Sequence, residues 1–341
     1  LACLHGVVAA MLVAVAVQWG RRRPAAARVS LGVLVAFDLF FHAMPLVESV
    51  RPRGLDGRSP AAITVLTDRD ARAETAPPRV LWSEAMFGAF VQGLPPSMQE
   101  HLARRTLMFS TPAREGIATL NPYDAGLPPA YQQLWDRHRR NPVPLLRLGA
   151  ARWLVAPAPD DRTALSDQGL KPWMTVPPGM LFAVPDALPR VYLTHRAASA
   201  DFATTLDRLD DEPVLRGELA YVPTGTTLSL APATGPERCV LSLHTPTRLA
   251  AACRASAPAL VVFVEQYHPG WQVTVDGRPA PLVRVHGVLR GVAVGPGDHH
   301  VAMHFVAPGL RTGATLTALA VLFALGLVIA GRFQERARRP A

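Results

Sequence analysis

Residues 261–305 read VVFVEQYHPGWQVTVDGRPAPLVRVHGVLRGVAVGPGDHHVAMHF. Short segments rich in β-branched and aromatic residues follow one another here, separated by Pro/Gly breaks, which is the pattern of successive strands. The segments are ALVVFVEQ (259–266), WQVTVDG (271–277), PLVRVH (281–286), LRGVAV (289–294) and HHVAMHFV (299–306). Asp276-Gly277 is a hairpin signal, because both central residues of a type I′ turn need positive φ. Gly295-Pro296-Gly297-Asp298 marks a second turn. Immediately upstream, RVYLTH (190–195), TTLSLAP (226–232), RCVLSLH (238–244) and TRLAAACR (247–254) read the same way. Residues 189–311 are therefore expected to form an antiparallel β-sandwich of jelly-roll character outside the cytoplasm.

Further upstream the periodicity changes. RVLW (79–82) and ARWLVAP (151–157) read as buried strands. SMQEHLARRTLM (97–108) and PPAYQQLWDRHRR (128–140) carry apolar positions three or four apart, and PVPLLRLGAAR (142–152) reads as a short helix leading into a strand. Helices alternating with strands give residues 50–188 the character of a small α/β or α+β unit.

Hydropathy concentrates elsewhere. The chain has 341 residues, 49% hydrophobic, and three apolar runs stand out: 4–19, 29–47 and 312–331. Each approaches the roughly 20 helical residues that cross a bilayer, so three transmembrane helices are expected. Of the +9 net charge, four arginines fall in loop 20–28 and a net of three positive charges in tail 332–341. By the positive-inside rule both segments are cytoplasmic, and residues from about 50 to 311 lie on the outer side. That distribution explains the basic balance without a nucleic-acid partner, which would need basic residues spread over a folded face. The chain opens on Leu1 and enters an apolar run without a charged leader, so it is expected to be the C-terminal part of a longer polytopic protein.

The 261–305 run, with Tyr267-His268-Pro269-Gly270-Trp271, Asp276-Gly277 and Pro296-Gly297-Asp298-His299 in that order, resembles the C-terminal outer domain of bacterial YfhO-type membrane proteins. Asp298 is more polar than is usual at its place in the turn. Asn121-Pro122-Tyr123-Asp124, LLRLGAARWLVAP (145–157) and VPDALPRVYL (184–193) are further echoes of that family. The resemblance implies a multi-pass protein of the bacterial inner membrane, similar to GT-C glycosyltransferases. Such a protein moves a sugar from a lipid-phosphate-linked donor to a cell-envelope glycan or lipid on the outer face, with this outer domain positioning the acceptor. The acidic residue that assists acceptor and divalent metal in that class sits in an early outer loop not contained in this chain, so the resemblance transfers no catalytic residue. The alternative is a non-catalytic carbohydrate-binding or assembly module of an envelope-polymer machine.

Candidate chemistry within the chain is sparse. Asp38 and His42 stand four apart in the second apolar run, on one helical face. A carboxylate at that depth is either a polar clamp to another helix or a contact to a donor headgroup or proton. Tyr267, His268 and Trp271 form a cluster that is either a sugar-binding loop or the anchor of a hairpin. Trp82, Tyr123, Tyr131 and Trp135 are read as core packing or as stacking surfaces for sugar rings. Cys239 and Cys253, on successive strands, fall about opposite each other and form either a disulfide or two core thiols. His300 and His304 share one strand face and His299 takes the other, too few for zinc, which wants three or four ligands. No cofactor signal is evident. The chain has no P-loop, G-x-G-x-x-G, G-x-S-x-G or H-E-x-x-H.

Overall fold

The computed structural model describes residues 58–68, 75–86, 102–109, 111–121, 127–157, 162–310 and 312–320, with 322 and 326 beyond them. All of them belong to one compact unit of the chain. Its helices include α1 (Pro60–Thr67), α2 (Thr111–Arg114), α3 (Pro129–His138), α4 (Val143–Leu148), α5 (Arg162–Asp167), α6 (Phe202–Asp207) and α7 (Glu212–Leu215).

The first sheet is mixed. Its strands are β1 (Arg79–Trp82), β2 (Ala118–Thr119), β3 (Trp153–Pro157), β4 (Lys171–Val176) and β5 (Gly179–Ala183), in the order β2-β1-β3-β5-β4. β1 runs parallel to β2 and β3, whereas β3, β5 and β4 alternate in direction. One face, with Leu81, Leu154 and Phe182, packs on α3 and α4 through Leu134, Leu145 and Leu146. Leu206, Leu209, Val214 and Leu215, from α6, α7 and the turn between them, join that same core. The other face, with Val80, Val155 and Leu181, packs on Ala61, Ala62 and Val65 of α1. Coverage on both faces explains why β1 and β3 are almost continuously apolar instead of alternating. α1 starts where the sequence says a helix can: the Ser59 hydroxyl accepts from the Ala62 amide at 3.1 Å, and Pro60 follows.

The remaining strands are β6 (Val191–Thr194), β7 (Ala197–Ala200), β8 (Ala220–Pro223), β9 (Arg238–His244), β10 (Arg248–Ala255), β11 (Ala259–Gln266), β12 (Trp271–Val275), β13 (Arg278–Ala280), β14 (Val283–Val285), β15 (Leu289–Val294) and β16 (Gly297–Phe305). Two antiparallel sheets, β13-β12-β16-β10-β9 and β14-β15-β11-β6, face each other. Between them lie Leu249, Ala251, Cys253, Val261, Phe263, Val273, Val292, Val301 and Met303. Leu260, Val262 and Val264 of β11 point the other way, into a second cluster with Ala220, Val222, Val283 and Val285. Buried on both faces, β11 has no room for polar alternation, which accounts for the run ALVVFV. The expected sandwich is present. At its β12–β13 turn Asp276 and Gly277 both have positive φ, 51° and 78°, as the type I′ turn requires.

Several expectations are corrected. Among the described residues no helix is long and apolar enough to cross a membrane, and the three-helix membrane class gives way to a sheet-rich fold. Hydropathy measures the greasiness of a run but not the unbroken helix a span also needs. Of the third run, 312–331, residues 312–320, 322 and 326 are described, and they are helical. Runs 4–19 and 29–47, loop 20–28 and tail 332–341 lie outside the described residues. TTLSLAP (226–232) pairs with no strand; Leu228 and Leu230 pack instead against the second β11 cluster.

Phe263 is fully buried between the sheets. Phe263→Ala is expected to lower unfolding free energy by about 3–5 kcal/mol, read by urea denaturation, while Arg248→Ala on an exposed face changes it by less than about 0.5 kcal/mol.

Candidate functional site

The Tyr267–Trp271 cluster lies in the packing of the hairpin. Trp271 is 9% exposed, sits in the inter-sheet core and packs on Phe305 at 5.4 Å. Arg290 lies 3.8 Å over its ring, and Arg284 lies 4.4 Å over Tyr267. The Gly270 amide donates to His268 Nδ1 at 3.0 Å, and the His268 ring meets Phe305 edge-on. A Cβ on Gly270 would stand 2.6 Å from the Val306 carbonyl oxygen, so the Pro-Gly pair is needed for close packing. Cys239 and Cys253 are direct partners in the β9–β10 ladder and are joined as a disulfide. Asp38, His42 and Tyr123 lie outside the described residues. Trp82 is 5% exposed in the core, Trp135 packs at a core margin, and the Tyr131 hydroxyl donates to the Leu120 carbonyl. His299 Nδ1 lies 2.8 Å from the Asp276 carboxylate. Among the described residues no three His, Cys, Asp or Glu side chains converge to hold a metal.

The sequence reading did not single out Trp173. It is 62% exposed on β4, the edge strand of the mixed sheet. The β4–β5 register shifts between Pro172 and Met174, so Trp173 is the extra residue of a bulge, a device that re-aims one side chain. Behind it stands Trp153, 4% exposed, edge-on at 5.6 Å. The buried Trp153 indole Nε1 has no hydrogen-bond partner. The two tryptophans line a groove of about 470 Å³ together with Thr64, Thr67, Asp68 and Arg152. Asp68 Oδ2 and Arg152 Nε are 3.2 Å apart. A flat apolar ring beside paired polar groups is how a site takes a ligand with one apolar face and a hydroxyl-rich rim. A lone Trp between prolines in KPWMTVPP was the available signal, and its prolines disguised the strand.

A polar cluster lies inside the structure. Glu265 Oε1 is met by Arg79 NH2 at 3.0 Å, by His244 Nε2 at 3.1 Å, and by Arg190. Arg79 also donates to the Gly149 and Val264 carbonyls at 2.9 and 2.7 Å. Burial alone would raise the Glu265 pKa. The charge of Arg79, the His244 hydrogen bond and the Arg190 guanidinium outweigh it and hold the carboxyl well below the usual range. A separate arrangement places His195 Nε2 2.7 Å from Glu237, whose other oxygen accepts from the Ser256 hydroxyl at 2.7 Å. His195 Nδ1 faces the Ala231 carbonyl at 2.6 Å, so the ring ties down residues 231–237 and does not activate Ser256.

Residues 260–317, from β11 past β16, match the family model described as "Bacterial membrane protein YfhO". No curated protein and no solved structure matches the chain. The resemblance read from the Tyr267–Trp271 and Pro296–His299 motifs therefore holds, and it supports a membrane protein of this family.

Glu265→Gln removes the charge that two buried guanidiniums share, and is expected to cost about 3–5 kcal/mol. Because the folded pKa is depressed, this stabilisation is complete above the unfolded value of about 4.3 and declines as pH falls below it. Denaturation midpoints of wild type and Glu265→Gln should differ most near neutrality and converge in acid.

Proposed function

We propose that this chain is the part of a YfhO-type membrane protein that holds a glycan on the outer side of the bacterial membrane and presents it as acceptor for sugar transfer from a lipid-phosphate-linked donor. The observation that carries this reading is the groove of Trp173, Trp153, Asp68 and Arg152. A pyranose offers an apolar face of C–H groups that lies flat on an indole, while its hydroxyls reach a carboxylate and a guanidinium at the ring's edge. The Cys239–Cys253 disulfide supports the outer placement, since such bonds persist in oxidising compartments. The transfer chemistry itself, and any divalent metal it uses, is assigned to residues other than those of the groove.

Binding of envelope-derived oligosaccharides to the full chain, followed by calorimetry, tests the reading. Trp173→Ala should weaken binding about tenfold or more, as truncating a central aromatic anchor does, whereas Ile63→Ala, another exposed apolar position, should change it little. Equal binding by wild type and Trp173→Ala would remove the groove from the proposal. Binding that depends on Trp173, with no sugar transfer by the full-length protein, would select the non-catalytic module.

A further inference from the structure

A second concavity, of about 270 Å³, lies inside the fold away from the tryptophan groove, walled by β1, α3, α4, β11 and the turn between β14 and β15. Half of its lining is leucine and valine, from Leu120 and Leu134 to Leu209 and Val288. The charged side chains in the wall are Arg79 and Glu265, 3.0 Å apart, so the lining is neutral as a whole. Arg79 NH1 donates to the Gly149 and Val264 carbonyls and NH2 to Glu265, the hydroxyls of Tyr131 and Thr119 donate to the Leu120 carbonyl and the Asn121 side chain, and Gln266 is exposed and so can be satisfied by solvent.

His286 is the exception. It lines the cavity, is 1% exposed, and its Nε2 has no hydrogen-bond partner. The Tyr221 amide donates to its Nδ1 at 3.5 Å. With Nδ1 accepting, the neutral ring carries its proton on Nε2, directed away from Tyr221. Burial pushes the imidazole pKa down to about 4, so the ring is neutral at physiological pH. His286 has a positive φ of 51°, a left-handed turn conformation that histidine adopts more readily than most non-glycine residues. A buried N–H left without an acceptor is costly, and a ligand that supplies one recovers that cost.

From this we infer that the cavity is a binding site for a small, uncharged, mainly apolar molecule carrying one hydrogen-bond acceptor, a carbonyl or ether oxygen that receives the His286 Nε2–H. The volume suits a ligand at or below the small end of ordinary pockets. Arg79 and Glu265 offset each other in the wall, and Arg190, which also binds Glu265, is not among the lining residues, so a charged ligand meets no unpaired charge in the cavity. This site is independent of the glycan groove.

The test uses the full chain and three probes matched in shape: cyclohexanone, methylcyclohexane and cyclohexanecarboxylate, with binding read by saturation-transfer NMR and by thermal shift. Cyclohexanone should bind saturably and about tenfold more tightly than methylcyclohexane, the ratio one hydrogen bond of ~1.4 kcal/mol gives, and the carboxylate should not bind. Leu209→Trp, which fills the cavity, should abolish binding of both neutral probes. His286→Phe should equalise cyclohexanone and methylcyclohexane. Should a variant fail to fold by circular dichroism, the three-probe ranking on the wild-type chain still decides. Equal binding of ketone and hydrocarbon, preference for the carboxylate, or no saturable binding would each overturn the proposal.

Discussion

One carboxylate holds together three sheets. Glu265 sits at the end of β11 and receives Arg79 from the mixed sheet, His244 from β9 in the facing sheet of the sandwich, and Arg190 from the residue before β6. Taking a charge out of water is expensive, and only close, well-directed partners offset it. Arg79 comes from a sheet that no ladder joins to β11, whereas Arg190 adjoins β6, which pairs with β11. Arg79 adds carbonyl contacts to Gly149 and Val264, and Arg190 donates to the Pro77 carbonyl at 3.0 Å. The cluster therefore specifies docking: a shifted arrangement of the mixed sheet on the sandwich would leave buried charge unpaired, whereas apolar contacts alone tolerate sliding.

β11 can host that residue because it is central in two senses. Its odd-numbered side chains fill the space between the sandwich sheets, and its even-numbered ones fill the layer behind. The aromatic residues that follow are held from above by cations, Arg284 on Tyr267 and Arg290 on Trp271. Arg290 also donates through Nε to the Gln266 carbonyl at 2.7 Å. Stacking of this kind is strongest when partly desolvated, and Arg290 is 5% exposed. The motif that marks the family is thus a packing device at the mouth of a hairpin.

The sandwich was legible because its signals are local: strand-length runs, turns with glycine where positive φ is needed, and two cysteines in register across neighbouring strands. β1, β3, α3 and α4 were legible for the same reason. β4 and β5 were hidden by Pro172, Pro177 and Pro178, which argue against a strand in sequence although an edge position permits them. TTLSLAP alternates as a strand does, but Leu228 and Leu230 use that alternation to cover a sheet face. The sites were less legible still. Arg79 and Glu265 are 186 positions apart, and no local period encodes such a pair. Trp173 gains its role from a bulge, and His286 from the absence of a neighbour.

The bulge has one more effect. An edge strand presents unpaired backbone groups to any chain that can add to the sheet. On β4, Pro172 lacks an amide to offer, and the register shift beside it breaks the ladder a newcomer would extend. An indole projecting from the same point leaves an approaching strand no flat surface on which to align. The bulge that exposes Trp173 thereby closes this edge to an added polypeptide strand and keeps the sheet from becoming a seed for aggregation.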